Sequence, residues 1–216
     1  MGVVDGKPGL RERKKQRTHE AISDAAITLF LEHGFTQVSV AQVAEAAEVS
    51  KRTLFAYFPT KEDLVVHRLA DHETELARVV RARPPRTAPL TAVREHFLKG
   101  LRERDPITGL NDHPQVLRLT RMILGAPTLV ARMDRFKTGA ERALAQALQE
   151  TADAPELTAR LAAVQIVAVR WALAQDNAER MTNGEPADER YGGAVKDAEH
   201  AFALLENGLR HLAPRQ

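Results

Sequence analysis

A short polar run, Ser50-Lys51-Arg52-Thr53, carries the most specific chemistry in this sequence. Lys51 and Arg52 can donate hydrogen bonds to guanine O6 and N7 or to phosphate oxygens, and the sequence leaves both options open. Thr53 can contact a thymine methyl group or a phosphate, and Ser50 suits the N-cap position of a helix. Because the N-terminal residues of a recognition helix reach base edges in the major groove, this run predicts the reading end of such a helix.

The flanking residues predict the elements that hold this run in place. Ser39 and Gln42 form a capping-box pattern at the start of a short helix, whose apolar positions from Val40 onward follow helical spacing. Leu54 and Phe58 would face the same core from the next helix. Two short helices joined by a tight turn predict a helix-turn-helix unit.

Charge is distributed unevenly along the N-terminal third of the chain. The segment 7–17 holds six basic residues and one acid, whereas 20–64 holds seven acids and three bases. Those three bases, Lys51, Arg52 and Lys61, lie at or beside the predicted reading helix. A charge run is more often only a solvated tail. This one adjoins the candidate DNA-binding unit, so we favour an arm that contacts phosphates.

Helical periodicity recurs over the whole chain and strand-like alternation is scarce, which predicts an all-α fold. Beyond the reading helix, Thr60 and Asp63 cap a fourth helix that we expect to run to about Arg81. The proline-rich segment 83–89 predicts a break between functional units. Further helices are expected at about 89–103, 114–124, 128–151, 156–181 and 191–212.

The last two predicted helices carry association surfaces. The final helix has an apolar stripe at alternating spacings of three and four, which is typical of helix–helix association. The preceding helix is apolar around most of its circumference, so we expect it to contact something outside its own domain. A purely internal core helix is the alternative. The candidate dimer-interface residues are Leu161, Val164, Val195, Ala198, Phe202, Leu205 and Leu209.

If the later helices enclose a small-molecule pocket, the bulky or polar side chains at their otherwise apolar positions are the candidates for lining it. For each of them, an ordinary core or surface role is the alternative. Burial of Arg118 or Arg121 would favour an anionic or carbonyl-bearing effector, because an unpaired buried charge is costly. The candidates are Phe97, Arg118, Arg121, Met122, Met133, Phe136 and Trp171.

Other chemical signals are missing from the sequence. There is no cysteine, no histidine spacing typical of a metal site, and no phosphate-binding or hydrolase motif. We therefore expect no cofactor, no metal and no catalysis. The N-terminus lacks an apolar signal region, and the run from Leu161 to Ala174 is interrupted by Gln165 and Arg170. These features predict a soluble, cytoplasmic protein without a membrane partner.

Residues 13 to 72 resemble the TetR family of bacterial transcriptional regulators. The matches keep a fixed register, which makes the resemblance specific, whereas beyond residue 80 it is only architectural. The residues that carry it are Arg17-Thr18, Ile22, Ala25-Ala26, Leu29-Phe30, Gly34-Phe35, Ser39-Val40, Val43-Ala44, Ala47, Val49-Ser50, Thr53-Leu54-Phe55, Tyr57-Phe58 and Thr60-Lys61-Glu62-Asp63-Leu64.

The resemblance implies about nine helices. It implies a basic flexible arm (1–12), a DNA-binding headpiece (13–60) and an effector-binding and dimerisation body (61–216) that begins with a connecting helix (61–82). The last two helices would form a dimeric four-helix bundle. A small molecule bound in the body would spread the two headpieces and release a near-palindromic double-stranded operator. The expected DNA contacts are Arg17, Thr18, Ser39, Val40, Ser50, Lys51, Arg52, Thr53, Tyr57 and Lys61.

Two positions depart from the family pattern. Glu48 stands where the turn usually has glycine, so we expect a strained positive φ there. Phe55 stands where tyrosine is common, so the hydroxyl that could donate to a phosphate is missing. Besides a ligand-responsive repressor, two alternatives stay open: a ligand-independent activator or architectural factor, and a small-molecule-binding protein that no longer binds DNA.

Overall fold

The computed structural model describes residues 10–67 and 70–208. Every regular element within those ranges is a helix, which confirms the all-α prediction. The elements are α1 (Leu10–His33), α2 (Val40–Ala46), α3 (Lys51–Tyr57), α4 (Asp63–Val66), α5 (Ala70–Glu73), α6 (Glu75–Ala82), α7 (Pro89–Glu103), a 3-10 turn (Pro106–Thr108), α8 (Pro114–Leu124), α9 (Pro127–Ala152), α10 (Glu156–Thr182) and α11 (Ala187–Asn207).

The chain divides into two compact units. An N-terminal unit, Met1–His67, contains α1 to α4, and a C-terminal unit, Arg68–Gln216, contains α5 to α11. The core of the N-terminal unit lies where α2 and α4 meet α1. Its deeply buried side chains include Ile22, Ala26, Phe30, Val43, Leu54, Phe58 and Leu64.

Side-chain caps fix the starts of the short helices in the N-terminal unit. Ser39 and Gln42 form the predicted capping box, in which the backbone N–H of Ser39 donates to Gln42 Oε1 (2.8 Å) and the N–H of Gln42 donates to Ser39 Oγ (3.3 Å). At the start of α3, Ser50 Oγ accepts the N–H of Thr53 at 3.0 Å. Each such cap stabilises a helix by about 1 kcal/mol, which matters for helices of seven residues.

Two residues with positive φ set the turns of this unit. Gly34 (φ 88°) follows the end of α1, and its N–H donates to the carbonyl of Phe30 at 2.9 Å. Glu48 (φ 53°) lies in the turn between α2 and α3, which confirms the expectation of a left-handed conformation at that position.

The core of the C-terminal unit is built from α6, α7, α9, α10 and α11. The 3-10 turn is tied to α10, because Asn177 Nδ2 donates to the carbonyl of Thr108 at 3.0 Å in a buried position. Gly109 (φ 73°) follows directly, and a Cβ atom there would overlap the carbonyl oxygen of Ala174. Fully buried members of this core include Val80, Val93, Leu101, Leu110, Leu144, Ala163 and Phe202.

The expectation of one continuous fourth helix to about Arg81 is wrong. Within the described residues α5 ends at Glu73 and α6 begins at Glu75, and residues 68–69, between α4 and α5, lie outside the described residues. Thr74 has φ −100° and ψ 1°, which interrupts the helical path between α5 and α6, and no side-chain bond caps α6 at this residue. The final helix begins at Ala187, four residues before the predicted start at Tyr191.

One helix, α10, is long and apolar enough to cross a membrane by length and composition alone, with a mean hydropathy of 1.4 over its most apolar window. A single helix of this kind is weak grounds for a membrane assignment, since core helices pass the same test. In this structure α10 packs on α9 and α11, and its buried residues Ala159, Ala163, Ile166 and Val167 belong to the core.

Candidate nucleic-acid interface and helical cavity

Helix α3 separates a buried apolar face from an exposed face. Leu54 is fully buried, and Phe58, which follows the helix, is 1% exposed. Lys51 and Arg52 are exposed and lie in the first turn, as the sequence predicts. The helix is therefore held by its apolar side while its cationic side faces solvent.

The hydroxyl groups at the start of α3 are held in fixed positions. Ser50 Oγ lies 2.8 Å from Thr53 Oγ1 in addition to capping the Thr53 N–H. The structure thus brings the four predicted reading residues, 50 to 53, together at one end of the helix. Whether each of them contacts DNA stays a prediction.

The N-terminal half of helix α1 carries several cations. Arg13, Lys14, Lys15 and Arg17 are all exposed. Thr18 is half-buried, and its hydroxyl donates to the carbonyl of Lys14 at 3.0 Å. Residues 1–9 of the predicted arm lie outside the described residues.

Lys61 has a different environment from the one that a phosphate contact suggests. Its ammonium donates to the carbonyl of Phe35 and lies over two aromatic rings, 4.5 Å from the centroid of Phe35 and 5.6 Å from that of Phe30. Burial lowers the pKa of Lys61, and the charge of Glu62 opposes that shift only in part. The side chain therefore joins the end of α1 to the start of α4, and its proposed phosphate contact stays a prediction.

An aromatic cluster, which the sequence did not predict, supports the far end of α3. The His19 ring stacks on Phe58 at 4.5 Å, and His67 meets both rings edge-on at 5.0 Å. Tyr57 is half-buried, with its ring centroid 6.3 Å from that of His19. The signal available in the sequence was the spacing of His19 from Ile22, which places the histidine on the core face of α1.

Of the two remaining predicted DNA contacts, Ser39 is exposed and Val40 is half-buried.

The C-terminal unit contains a small cavity of about 40 Å³, room for a few water molecules. Helices α5, α9 and α10 and the 3-10 turn form its walls. Two of the predicted effector-binding residues, Phe136 and Trp171, line it. The complete lining is His72, Glu73, Ile107, Phe136, Lys137, Ala140, Val167, Arg170, Trp171 and Ala174.

The other five predicted effector residues do not line this cavity. Phe97 is 2% exposed and its ring lies 6.2 Å from that of Phe202, so it serves the core. Arg118 and Arg121 are both exposed, and burial of either would have been the reason to expect an anionic effector. Arg121 Nη2 donates to the carbonyl of Thr182 at 3.0 Å.

Met122 and Met133 are half-buried on α8 and α9. The sequence offered no means of separating such residues from cavity residues, because both sets occupy apolar positions of the same helices. Their assignment to the effector site stays a prediction.

A buried ionic cluster, which the sequence did not predict, lies beside the cavity. Arg170 Nη2 lies 2.7 Å from Glu75 Oε2, and both side chains are 12% exposed. The other oxygen of Glu75 lies 3.2 Å from His72 Nδ1 and 3.3 Å from His96 Nε2. Arg170 and His72 also line the cavity. The only sequence signal was that Arg170 interrupts an apolar run.

This cluster shifts the acid–base behaviour of its members. Burial alone would raise the pKa of Glu75, but hydrogen bonds from His72 and His96 and the charge of Arg170 outweigh it and hold that pKa well below its usual range. The hydrogen bond to Glu75 raises the pKa of His72, against an opposing effect of burial. Burial lowers the pKa of Arg170, although Glu75 and Asp105 favour its charged form.

The predicted dimer-interface residues differ in their exposure. Leu161 and Val164 are 53% and 41% exposed on α10, and Leu157, one turn earlier, is 58% exposed. By contrast, Ala198 and Phe202 are buried inside the C-terminal unit itself. Val195 and Leu205 are half-buried against that core, and Leu209 lies outside the described residues.

Comparison with known proteins gives one family match. Residues 22–67 match the profile of the family described as "Bacterial regulatory proteins, tetR family". The matched segment begins within α1 and ends with the N-terminal unit, so it contains the whole of α2, α3 and α4.

Two relatives are similar to this chain beyond residues 22–67. The HTH-type transcriptional regulator TcmR of Streptomyces glaucescens is 32% identical over 140 residues, 64% of this chain and 62% of TcmR. The HTH-type transcriptional repressor LfrR of Mycolicibacterium smegmatis is 27% identical over 180 residues, 83% of this chain and 87% of LfrR. This chain spans 62% of the length of TcmR, and 32% and 56% of the lengths of two further relatives, which is less than two thirds in each case.

A solved structure supports the fold. Native NalD, the secondary repressor of the MexAB-OprM multidrug efflux pump in Pseudomonas aeruginosa, superposes with a TM-score of 0.54 at 20% identity. The superposition covers 89% of this chain and 96% of NalD. At this identity the similarity concerns the all-helical fold alone.

Proposed function

We propose that this chain, which belongs to the TetR family of bacterial regulatory proteins, is a transcriptional repressor that binds operator DNA as a homodimer and leaves it when a small molecule binds the C-terminal unit. The observation that carries the proposal is the arrangement of α3. Its start is capped by Ser50, its apolar face is buried through Leu54, and Lys51 and Arg52 are left exposed. A helix held in this way can enter the major groove with its first turn toward the bases.

The exposed cations of the N-terminal unit supply the non-specific part of the binding energy. Arg13, Lys14, Lys15 and Arg17 on α1 and the two cations of α3 can neutralise phosphates. Each neutralised phosphate releases a counterion, so the affinity must fall steeply as the salt concentration rises. We place this action in the bacterial cytoplasm, where the operator is accessible.

The exposed stripe of α10 supports a homodimer. Leu157, Leu161 and Val164 follow one another at spacings of four and three, so they lie on one side of the helix. Covering such a stripe with a second copy removes apolar area from water. A two-fold dimer would present two reading helices to a near-palindromic operator.

The cavity between α5, α9 and α10 is the proposed effector site. Its aromatic residues Phe136 and Trp171 offer flat apolar surfaces, and Arg170 and His72 offer polar groups. The cavity is small in this structure, so an effector larger than a few water molecules requires these helices to move apart.

The first experiment is a selection of random DNA duplexes by the full-length protein, followed by fluorescence anisotropy with the selected duplex. Alanine at Lys51 and Arg52 together should weaken binding at least tenfold, and the slope of affinity against salt should fall by about one for each of the two cations that contacts a phosphate. Lys99→Ala, an exposed lysine on α7, is the matched control and should change neither quantity. Equal affinities of the double variant and the wild type would refute the assignment of α3 as the reading helix.

The oligomeric state and the effector need separate measurements. Leu161→Asp should convert a dimer to a monomer in sedimentation experiments, because it places a charge in the apolar stripe. If the wild type is already a monomer at micromolar concentration, the homodimer proposal fails. If no metabolite releases the selected duplex, the ligand-independent alternative replaces the ligand-responsive one.

A further inference from the structure

A large apolar side chain stands on the exposed face of α3. Phe55 is 47% exposed, whereas its neighbour Leu54 is fully buried. Among residues 13–67, whose side-chain exposure the structure describes, it is the one large hydrophobic side chain in the exposed class. A phenyl ring left in water is a source of binding energy for whatever covers it.

The charges around Phe55 indicate the kind of partner that covers it. Lys51 precedes it by four residues and Arg52 by three, so both flank the ring on the helix surface. Both cations are exposed and complement a polyanion rather than an apolar protein surface. Phe55 has no hydrogen-bonding group, so it can neither donate to a phosphate nor read a donor or acceptor on a base. In the major groove the apolar group available to such a ring is the C5 methyl of thymine.

From this placement we infer that Phe55 selects thymine at one position of each operator half-site by contact with the C5 methyl group. The inference rests on the proposed DNA-binding function and adds a base preference to it. In this arrangement Lys51 and Arg52 supply affinity for phosphates or guanine, and Phe55 supplies discrimination at a neighbouring base pair.

The test removes the methyl group without changing base pairing. Each thymine of the selected duplex is replaced singly by uracil, and the affinity is measured for the wild type, Phe55→Ala and Phe55→Leu. At one position per half-site, uracil should weaken the wild type by about fourfold, the equivalent of one buried methyl group. At that position the replacement of thymine by uracil should weaken binding of Phe55→Ala by less than about twofold, because the ring that covered the methyl group is gone. Phe55→Leu keeps an apolar side chain and should retain part of the preference.

Lys51→Ala serves as the matched control on the same face of α3. It should weaken every duplex and leave the uracil effect at the Phe55 position unchanged. Thermal melting by circular dichroism should be the same for Phe55→Ala as for the wild type, since the replaced ring is not part of the core.

Two results would overturn the inference. If the uracil effects of Phe55→Ala equal those of the wild type at every position, Phe55 does not read thymine. If Phe55→Ala weakens all duplexes uniformly, the ring contacts the sugar–phosphate backbone instead. Failure of the wild type to select any duplex would overturn the proposed DNA binding and this inference with it, so the two failures are distinguishable.

Discussion

Replacing Glu75 by alanine should destabilise the C-terminal unit more than any single surface substitution. Glu75 is the shared partner of Arg170, His72 and His96, and its side chain is 12% exposed. In Glu75→Ala the guanidinium of Arg170, equally buried, loses its hydrogen-bonded counter-ion and keeps only the charge of Asp105 in its favour. A buried charge without a partner is expensive, whereas an exposed one is solvated by water.

The expected loss follows from that difference in environment. Removing one partner of a buried ion pair costs about 3–5 kcal/mol of the free energy of unfolding, because the other charge stays behind without compensation. At roughly 2–4 °C per kcal/mol for a unit of this size, the melting temperature should fall by roughly 6–20 °C. Replacing both partners with apolar residues, as in Glu75→Leu with Arg170→Met, should restore most of the loss.

Urea unfolding followed by tryptophan fluorescence measures this effect directly. Trp171 is the single tryptophan of the chain and is adjacent to Arg170 in sequence, so its emission reports on the C-terminal unit. Glu150→Ala is the matched control. Arg81 and Glu150 are also 2.7 Å apart, but their side chains are 40% and 42% exposed, so little change is expected. If Glu75→Ala lowers the free energy of unfolding no more than Glu150→Ala does, the reasoning from burial is refuted. It is also refuted if the double variant, Glu75→Leu with Arg170→Met, is as unstable as Glu75→Ala.

Two further predictions concern pH and backbone strain. The pKa of Glu75 is lowered from an ordinary 4.5, so its contribution to stability is present above about pH 4.5 and is lost as the pH falls below it. The pKa of His72 is raised from 6.5, so its contribution is complete below about pH 6.5 and is lost as the pH rises through its folded value. The urea midpoint of the wild type should therefore fall below about pH 4.5 and again above about pH 6.5, and the midpoint of Glu75→Ala should depend less on pH. Separately, Glu48→Gly should stabilise the N-terminal unit by about 0.5–1 kcal/mol, because it relieves a positive φ. Glu45→Gly, in the last turn of α2, should destabilise it, because glycine is unfavourable in a helix, and equal effects in calorimetry would contradict the strain argument.

The local structure of the N-terminal unit was predictable because its determinants are close in sequence. The capping box of Ser39 and Gln42, the cap at Ser50 and the positive φ values of Gly34 and Glu48 all depend on residues within four positions of one another. Short-range backbone hydrogen bonding and steric limits on φ decide such features. The starts of α7 and α8 were predictable for the same reason, since each helix begins at a proline.

The features of the C-terminal unit that bear on function were not predictable in the same way. Glu75 and Arg170 are 95 positions apart, and no local pattern states that they meet. The fourth helix was also misjudged. Its sequence is compatible with one helix, but the observed chain turns at Thr74 directly before the buried Glu75. Cavity residues such as Phe136 are specified by what faces them across the unit, which single-sequence periodicity does not report.

The shared residues of the cavity and the ionic cluster connect effector binding to the stability of the C-terminal unit. Arg170 and His72 line the cavity and also bind Glu75, so a molecule that pulled Arg170 away would have to offset a loss of about 3–5 kcal/mol. We therefore expect an effector to accept hydrogen bonds from N–H groups of Arg170 that do not donate to Glu75, or to pack against Phe136 and Trp171. Any compound that binds only the folded unit raises its unfolding free energy by RT ln(1 + [L]/Kd), about 2.7 kcal/mol at a concentration of 100 Kd. Because Trp171 reports that unfolding, candidate effectors can be ranked without knowledge of the operator. A compound that releases DNA yet leaves the unfolding midpoint of the C-terminal unit unchanged would place the effector site outside this cavity.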